Sequence, residues 1–183
     1  NGTLPGIGSP MTLTWSIVPD GLPLSTVYTD PATNPTPVSR LIARFDELYN
    51  VPLINRVADL TARPWFAEMQ TVFNIYSSKT GITYVYVTDD GAANGSAGAL
   101  GARGDVRIGG TDLAGPFAYN GFPPSGDMVI NTTKTEFSNP STLRLIFGHE
   151  HAHRHPARPR TRCASGDIRV CLGLFQQRCS RRD

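Results

Sequence analysis

The first 160 residues of this 183-residue chain contain no cysteine; Cys163, Cys171 and Cys179 all fall near its end. The body therefore holds together without disulfides, and an odd count leaves at least one thiol free or paired between molecules. Their spacing of eight and eight residues matches no metal-binding C-x-x-C pattern. No stretch approaches 18 uninterrupted apolar residues, which excludes a membrane-spanning helix. The chain opens at Asn1 with no Met, no basic segment and no apolar run, so no leader is expected within it. No internal repeat is visible, and no glutamate follows Glu150.

With 39% apolar and 9% aromatic residues, there is enough to bury a single core. The net charge of +2 is unevenly spread. Residues 1 to 153 carry nine basic against 13 acidic side chains, whereas residues 154 to 183 carry eight arginines against Asp167 and Asp183. The basic tail has only Phe175 as an aromatic, so it lacks the interleaved stacking groups of a single-strand binder, and no nucleic-acid partner is expected. Three N-x-S/T sequons begin at Asn1, Asn94 and Asn131 and carry meaning only in a eukaryotic secretory host.

Residues 1–11 are rich in Gly and Pro and read as a loop. Leu13, Trp15 and Ile17 then alternate with Thr12, Thr14 and Ser16, which predicts a half-buried strand. After four prolines between Pro23 and Pro37, Leu41, Ile42, Phe45, Leu48 and Tyr49 form one helical stripe that Ser39 is placed to cap. Pro64 opens a second helix through Trp65, Phe66, Met69, Val72, Phe73 and Tyr76, and Gly81 is placed to stop it. These aromatics are read as core. Residues 82–87, 105–108, 116–119 and 127–130 are candidate strands, with a Gly- and Ala-rich surface loop over 91–104. Asn139-Pro140 opens a last helix as N-cap and first helical residue, and Leu143, Ile146 and Phe147 bury it.

That helix ends in Gly148-His149-Glu150-His151-Ala152-His153, the pattern H-E-x-x-H. Helical spacing puts His149 and His153 one turn apart on one face, where two imidazoles can share a zinc ion, and places Glu150 beside them as a base. His151 points elsewhere and is expected to be exposed rather than a ligand. The alternative for the whole stretch is a solvated polar helix end. A catalytic zinc takes three protein ligands, so one more is required. His155, Cys163 and Asp167 are chemically able, and nothing in their spacing selects among them.

The order of segments resembles a matrixin, within the metzincin metallopeptidases, over about residues 12 to 153. The resemblance is carried by Leu13-Thr14-Trp15-Ser16, the strand ending in Asp89-Asp90-Gly91, Gly104-Asp105-Val106-Arg107-Ile108-Gly109, Leu113 through Tyr119, Pro124 through Ile130, and the H-E-x-x-H helix. It implies an α+β zincin fold: a twisted mixed sheet packed on two or three helices, with an antiparallel edge strand within residues 112–122 that pairs with an extended peptide. Phe117, Ala118 and Tyr119 would then bind substrate. It also implies a secreted zinc endopeptidase acting on peptide or protein, monomeric or part of a larger multidomain chain. Asp89, Asp90, Asp105 and Asp127 are candidate calcium ligands, against the reading that they are ordinary turn aspartates.

The departures from the family are equally specific. Where the metzincin pattern continues to a glycine and a third histidine, this chain has Pro156 and Pro159, and its last methionine is Met128, too early for a methionine turn below the metal. Tyr119 and Val129 fall near two positions where animal matrixins hold a structural zinc, so none is expected. Charge, cysteine content and periodicity all change after His153, as a shifted reading frame would cause; a native basic arm is the competing view. The expectation is a zinc endopeptidase impaired by the loss of its third ligand. A catalytically inactive binding or structural module of a larger secreted protein is the alternative.

Overall fold

The computed structural model describes residues 11–57, 59–121 and 127–153. Chain order is β1 (Met11–Ile17), α1 (Leu41–Leu48), a short 3-10 turn (Leu53–Asn55), α2 (Pro64–Thr80), β2 (Ile82–Tyr86), β3 (Val106–Thr111), β4 (Ala118–Asn120), β5 (Met128–Asn131), a second 3-10 turn (Thr135–Ser138) and α3 (Pro140–Ala152). Met11, expected in the opening loop, is the first residue of β1. The strands form one mixed sheet in the order β2-β1-β3-β5-β4. β1 pairs parallel with β2 and β3, and β3 pairs parallel with β5. Among the described strands only β4 runs antiparallel, at the edge beside β5. The fold is α+β.

All three helices share one apolar core with the sheet. Leu41 and Phe45 of α1, Trp65 through Phe73 of α2 and Leu143, Ile146 and Phe147 of α3 join Trp15, Ile17, Ile108, Met128 and Ile130. Trp15 is fully buried, with Phe66, Phe73 and Tyr86 at ring distances of 4.5–5.0 Å. A smaller cluster of Val18, Leu24, Leu113 and Val129 lies apart from this core.

The prediction of a half-buried β1 holds at Thr12, which is exposed, but is corrected farther along the strand, where Thr14 and Ser16 on the second face are buried too. Asp105 accepts from the Thr14 amide (2.8 Å) and hydroxyl (3.0 Å), while the Ser16 hydroxyl donates to Asp89 (2.6 Å) and accepts from the Gly104 amide (3.0 Å). A Cβ at Gly104 would stand 2.5 Å from the Ser16 nitrogen, so only glycine lets the chain pass this close. Arg107 locks the same segment. Its guanidinium donates to both oxygens of Asp89 (2.8 and 2.9 Å) and to the carbonyls of Ala92 and Ala93 (2.7 and 2.9 Å). The loop expected on the surface is thus bonded down across the sheet.

The helix ends follow local chemistry with one exception. Gly81 stops α2 in the left-handed region at φ +74°, and Asn139 caps α3 by accepting from the amides of Ser141 (2.9 Å) and Thr142 (3.4 Å). Ser39 does not cap α1. Asp20, from the loop after β1, accepts instead from the amides of Ile42 (3.0 Å) and Ala43 (2.7 Å).

Candidate metal centre

The last turn of α3 is held from three directions. From α2, the Tyr76 hydroxyl donates to the Gly148 carbonyl (2.7 Å); from β4, the Asn120 amide donates to the Glu150 carbonyl (3.2 Å). From β2, the Tyr84 hydroxyl lies 2.9 Å from His151 Nε2. The expected exposure of His151 is overturned: it is 1% exposed, with the rings of Phe73, Tyr76 and Tyr84 edge-on at 4.7–5.1 Å. The reason is periodic. Leu143, Phe147 and His151 are four residues apart, so His151 continues the buried stripe while the other two histidines flank it.

His149 and His153 present their Nε2 atoms to each other at 3.1 Å, with rings perpendicular. One Glu150 oxygen and one nitrogen from each ring lie within 4.8 Å of one another. A tetrahedral zinc with Zn–N bonds of about 2.0–2.1 Å needs two nitrogens roughly 3.3 Å apart, so the pair fits such an ion with a small adjustment. Burial, reinforced by the nearby His153, lowers the pKa of His149 and favours the neutral imidazole that binds metal. Burial also pushes the Glu150 carboxyl up to about 7, the range suited to a general base near neutral pH.

A cleft of about 670 Å³ opens against this turn, lined by Glu150 and His153 and by Ala118, Tyr119 and Asn120 of β4, with Tyr28 and Asn94 also on its walls. Comparison with known family models, curated proteins and solved structures returns no match to the chain. The site therefore rests on its own geometry.

Of the expected substrate-binding residues, Ala118 and Tyr119 line the cleft. Phe117 is not among its lining residues; its ring packs against Phe137 (5.9 Å) and beneath the Lys134 ammonium (5.0 Å). Two cleft residues had no signal in the sequence. Asn120 sits where Asn-Gly reads as a turn, and Tyr28, with a left-handed φ of 60°, lies in a proline-rich connection without periodicity. Tyr28 meets the Tyr119 ring at 5.4 Å.

His155, Cys163 and Asp167 lie outside the described residues, as does the change of character after His153. Among the described residues, His149, Glu150 and His153 form the one group of three metal-capable side chains. The four candidate calcium ligands face protein donors: Asp89 takes Arg107, Asp90 takes Arg103 (2.8 Å), Asp105 takes Thr14, and Asp127 takes Asn94 (2.5 Å) and the Gly95 amide (2.6 Å). Two sequon asparagines are engaged as well. Asn131 is fully buried and donates to the carbonyls of Leu113 and Pro116, and Asn94 bridges Asp127 and the Ser25 amide. Among the described residues no helix is long and apolar enough to cross a membrane.

Proposed function

We propose that this chain is a matrixin-like zinc endopeptidase domain of the metzincin kind, acting on extended peptide segments of proteins outside the cell. The observation that carries the reading is the approach of the His149 and His153 Nε2 atoms to 3.1 Å, with Glu150 beside them, at a helix end next to an open antiparallel strand.

The strand supplies substrate alignment. The Asn131 amide bonds to the Phe117 carbonyl and the Gly121 amide to the Asp127 carbonyl (both 2.8 Å), so the main-chain groups of residues 117, 119 and 121 turn toward β5. By the alternation of an antiparallel ladder, those of Ala118 and Asn120 turn to the edge that no other described strand covers, where a peptide strand can add. His149 and His153 would supply two of the zinc's protein ligands, with the third from outside the described residues, and the ion when bound would supply Lewis acidity toward a carbonyl and toward water. Glu150 takes the proton of the attacking water and returns it to the departing amine. Its half-buried setting raises its basicity for the first step.

Replacement Glu150→Gln in the full chain is expected to leave zinc binding intact and to reduce cleavage of an unfolded substrate such as casein by roughly 10²-fold or more. Cleavage by the variant at the wild-type rate would remove Glu150 from the chemistry. A second reading is favoured by one observation: among the described residues only two imidazoles and one carboxylate converge. It is a domain that keeps the fold and the peptide-binding edge while holding zinc weakly. Zinc stoichiometry after dialysis separates the two, one tightly held ion per chain supporting the enzyme and none supporting the binding module.

A further inference from the structure

Asn120 ends β4, within the wall of the cleft, and only half of its amide is satisfied. Nδ2 donates to the Glu150 carbonyl at 3.2 Å, while Oδ1 is buried and has no hydrogen-bond partner among the described residues. A buried acceptor left unpaired costs stability, and native structures keep few of them. A leucine of similar size would remove that orphan atom, so stability of the β4 end does not by itself account for an asparagine here.

The bond Asn120 does make is informative. The Glu150 carbonyl belongs to the last turn of α3, where the helix supplies few partners of its own, and it also accepts from the His153 amide (3.2 Å). A donor at this carbonyl fixes the peptide unit that carries Glu150 and, through the same turn, the placement of His153. Tyr76 and Tyr84 grip this turn from the core; Asn120 grips it from the cleft.

We propose that Asn120 is a positioning residue for the metal pair, fixing the final turn of α3 so that His149 and His153 face one ion, with the orphan Oδ1 as its cost. The proposal rests on the zinc reading of the site. It goes beyond that reading by giving a β4 side chain a share in metal affinity.

The test uses zinc alone, titrated into the full chain in competition with a chromophoric chelator, alongside urea unfolding of the metal-free protein. Asn120→Leu, and the smaller Asn120→Ala should Leu fail to fold, are expected to weaken zinc binding about tenfold or more, by analogy with the loss of residues that orient metal ligands. The metal-free unfolding midpoint of Asn120→Leu is expected to stay at the wild-type value. A lowered midpoint with unchanged zinc affinity would make Asn120 merely structural and overturn the proposal. Unchanged values of both would overturn it as well. Wild-type protein that takes up no zinc would overturn the zinc reading and this inference together, whereas equal binding by wild type and variant overturns this inference alone.

Discussion

Asp89 and Arg107 show what a single buried pair does in this protein. Each side chain is 1% exposed, and the guanidinium joins the 88–105 segment to the sheet through one carboxylate and two carbonyls. Arg107→Met would leave a buried carboxylate without its counter-charge, at a cost of about 3–5 kcal/mol, while the double variant with Asp89→Asn is expected to recover part of it. Urea unfolding midpoints measure both. Burial pushes the Asp89 carboxyl up, but hydrogen bonds from Arg107, Ser16 and the Gly91 amide outweigh it and leave the pKa below its ordinary 3.8. The pair's stabilisation is therefore present above about pH 4 and is lost as pH falls through the lower folded value. The gap between wild type and Arg107→Met should narrow in acid, and a gap that is constant from pH 7 to pH 3 would contradict the pairing. Such contacts were invisible in the sequence because their partners are distant along the chain, as with Ser16 and Asp89 or Tyr84 and His151. The histidine pair was legible because its two members are four residues apart on one helix.

The same distinction governs the helices and strands. α2 and α3 announce their own ends through Pro64, Gly81, Asn139 and Pro140, since each device acts within one turn. Asn139→Ala is expected to cost about 1 kcal/mol, with Asn139→Asp close to neutral, by thermal unfolding; equal loss in both would show that the cap is not what matters there. The stripe places α1 from Leu41, but its cap is not readable locally, because Asp20 lies 22 residues upstream of the amide of Ile42. For β1 the alternation locates the strand, yet Thr14 and Ser16 of its polar face are buried through hydrogen bonds to Asp105 and Asp89, and period alone cannot distinguish a solvated polar face from a bonded one.

For the molecule as a whole, the α+β class could be read from the order of periodic segments, but strand order could not, because parallel pairs leave no hairpin turn to read. The antiparallel edge expected within residues 112–122 is present as β4. Zinc binding to the folded state alone should raise the melting temperature. At 100 times the dissociation constant the gain is about 2.7 kcal/mol, roughly 5–10 °C for a chain of this size. Chelator should reverse the rise, and His149→Ala or His153→Ala should abolish it; a rise that survives both replacements would place the ion elsewhere. Millimolar calcium is expected to leave the melting temperature unmoved, because the four aspartates already face protein donors, and an upward shift of several degrees would show one of them exchanging those donors for an ion.

The sheet order also has a temporal consequence. β1 is the second strand of the sheet, yet its neighbours arrive late: Met11 pairs with Ile82 and Trp15 with Val106. At translation rates of about 5–20 residues per second, the segment holding Trp15 waits seconds on the ribosome before either neighbour emerges. Until then its indole has no sheet to enter.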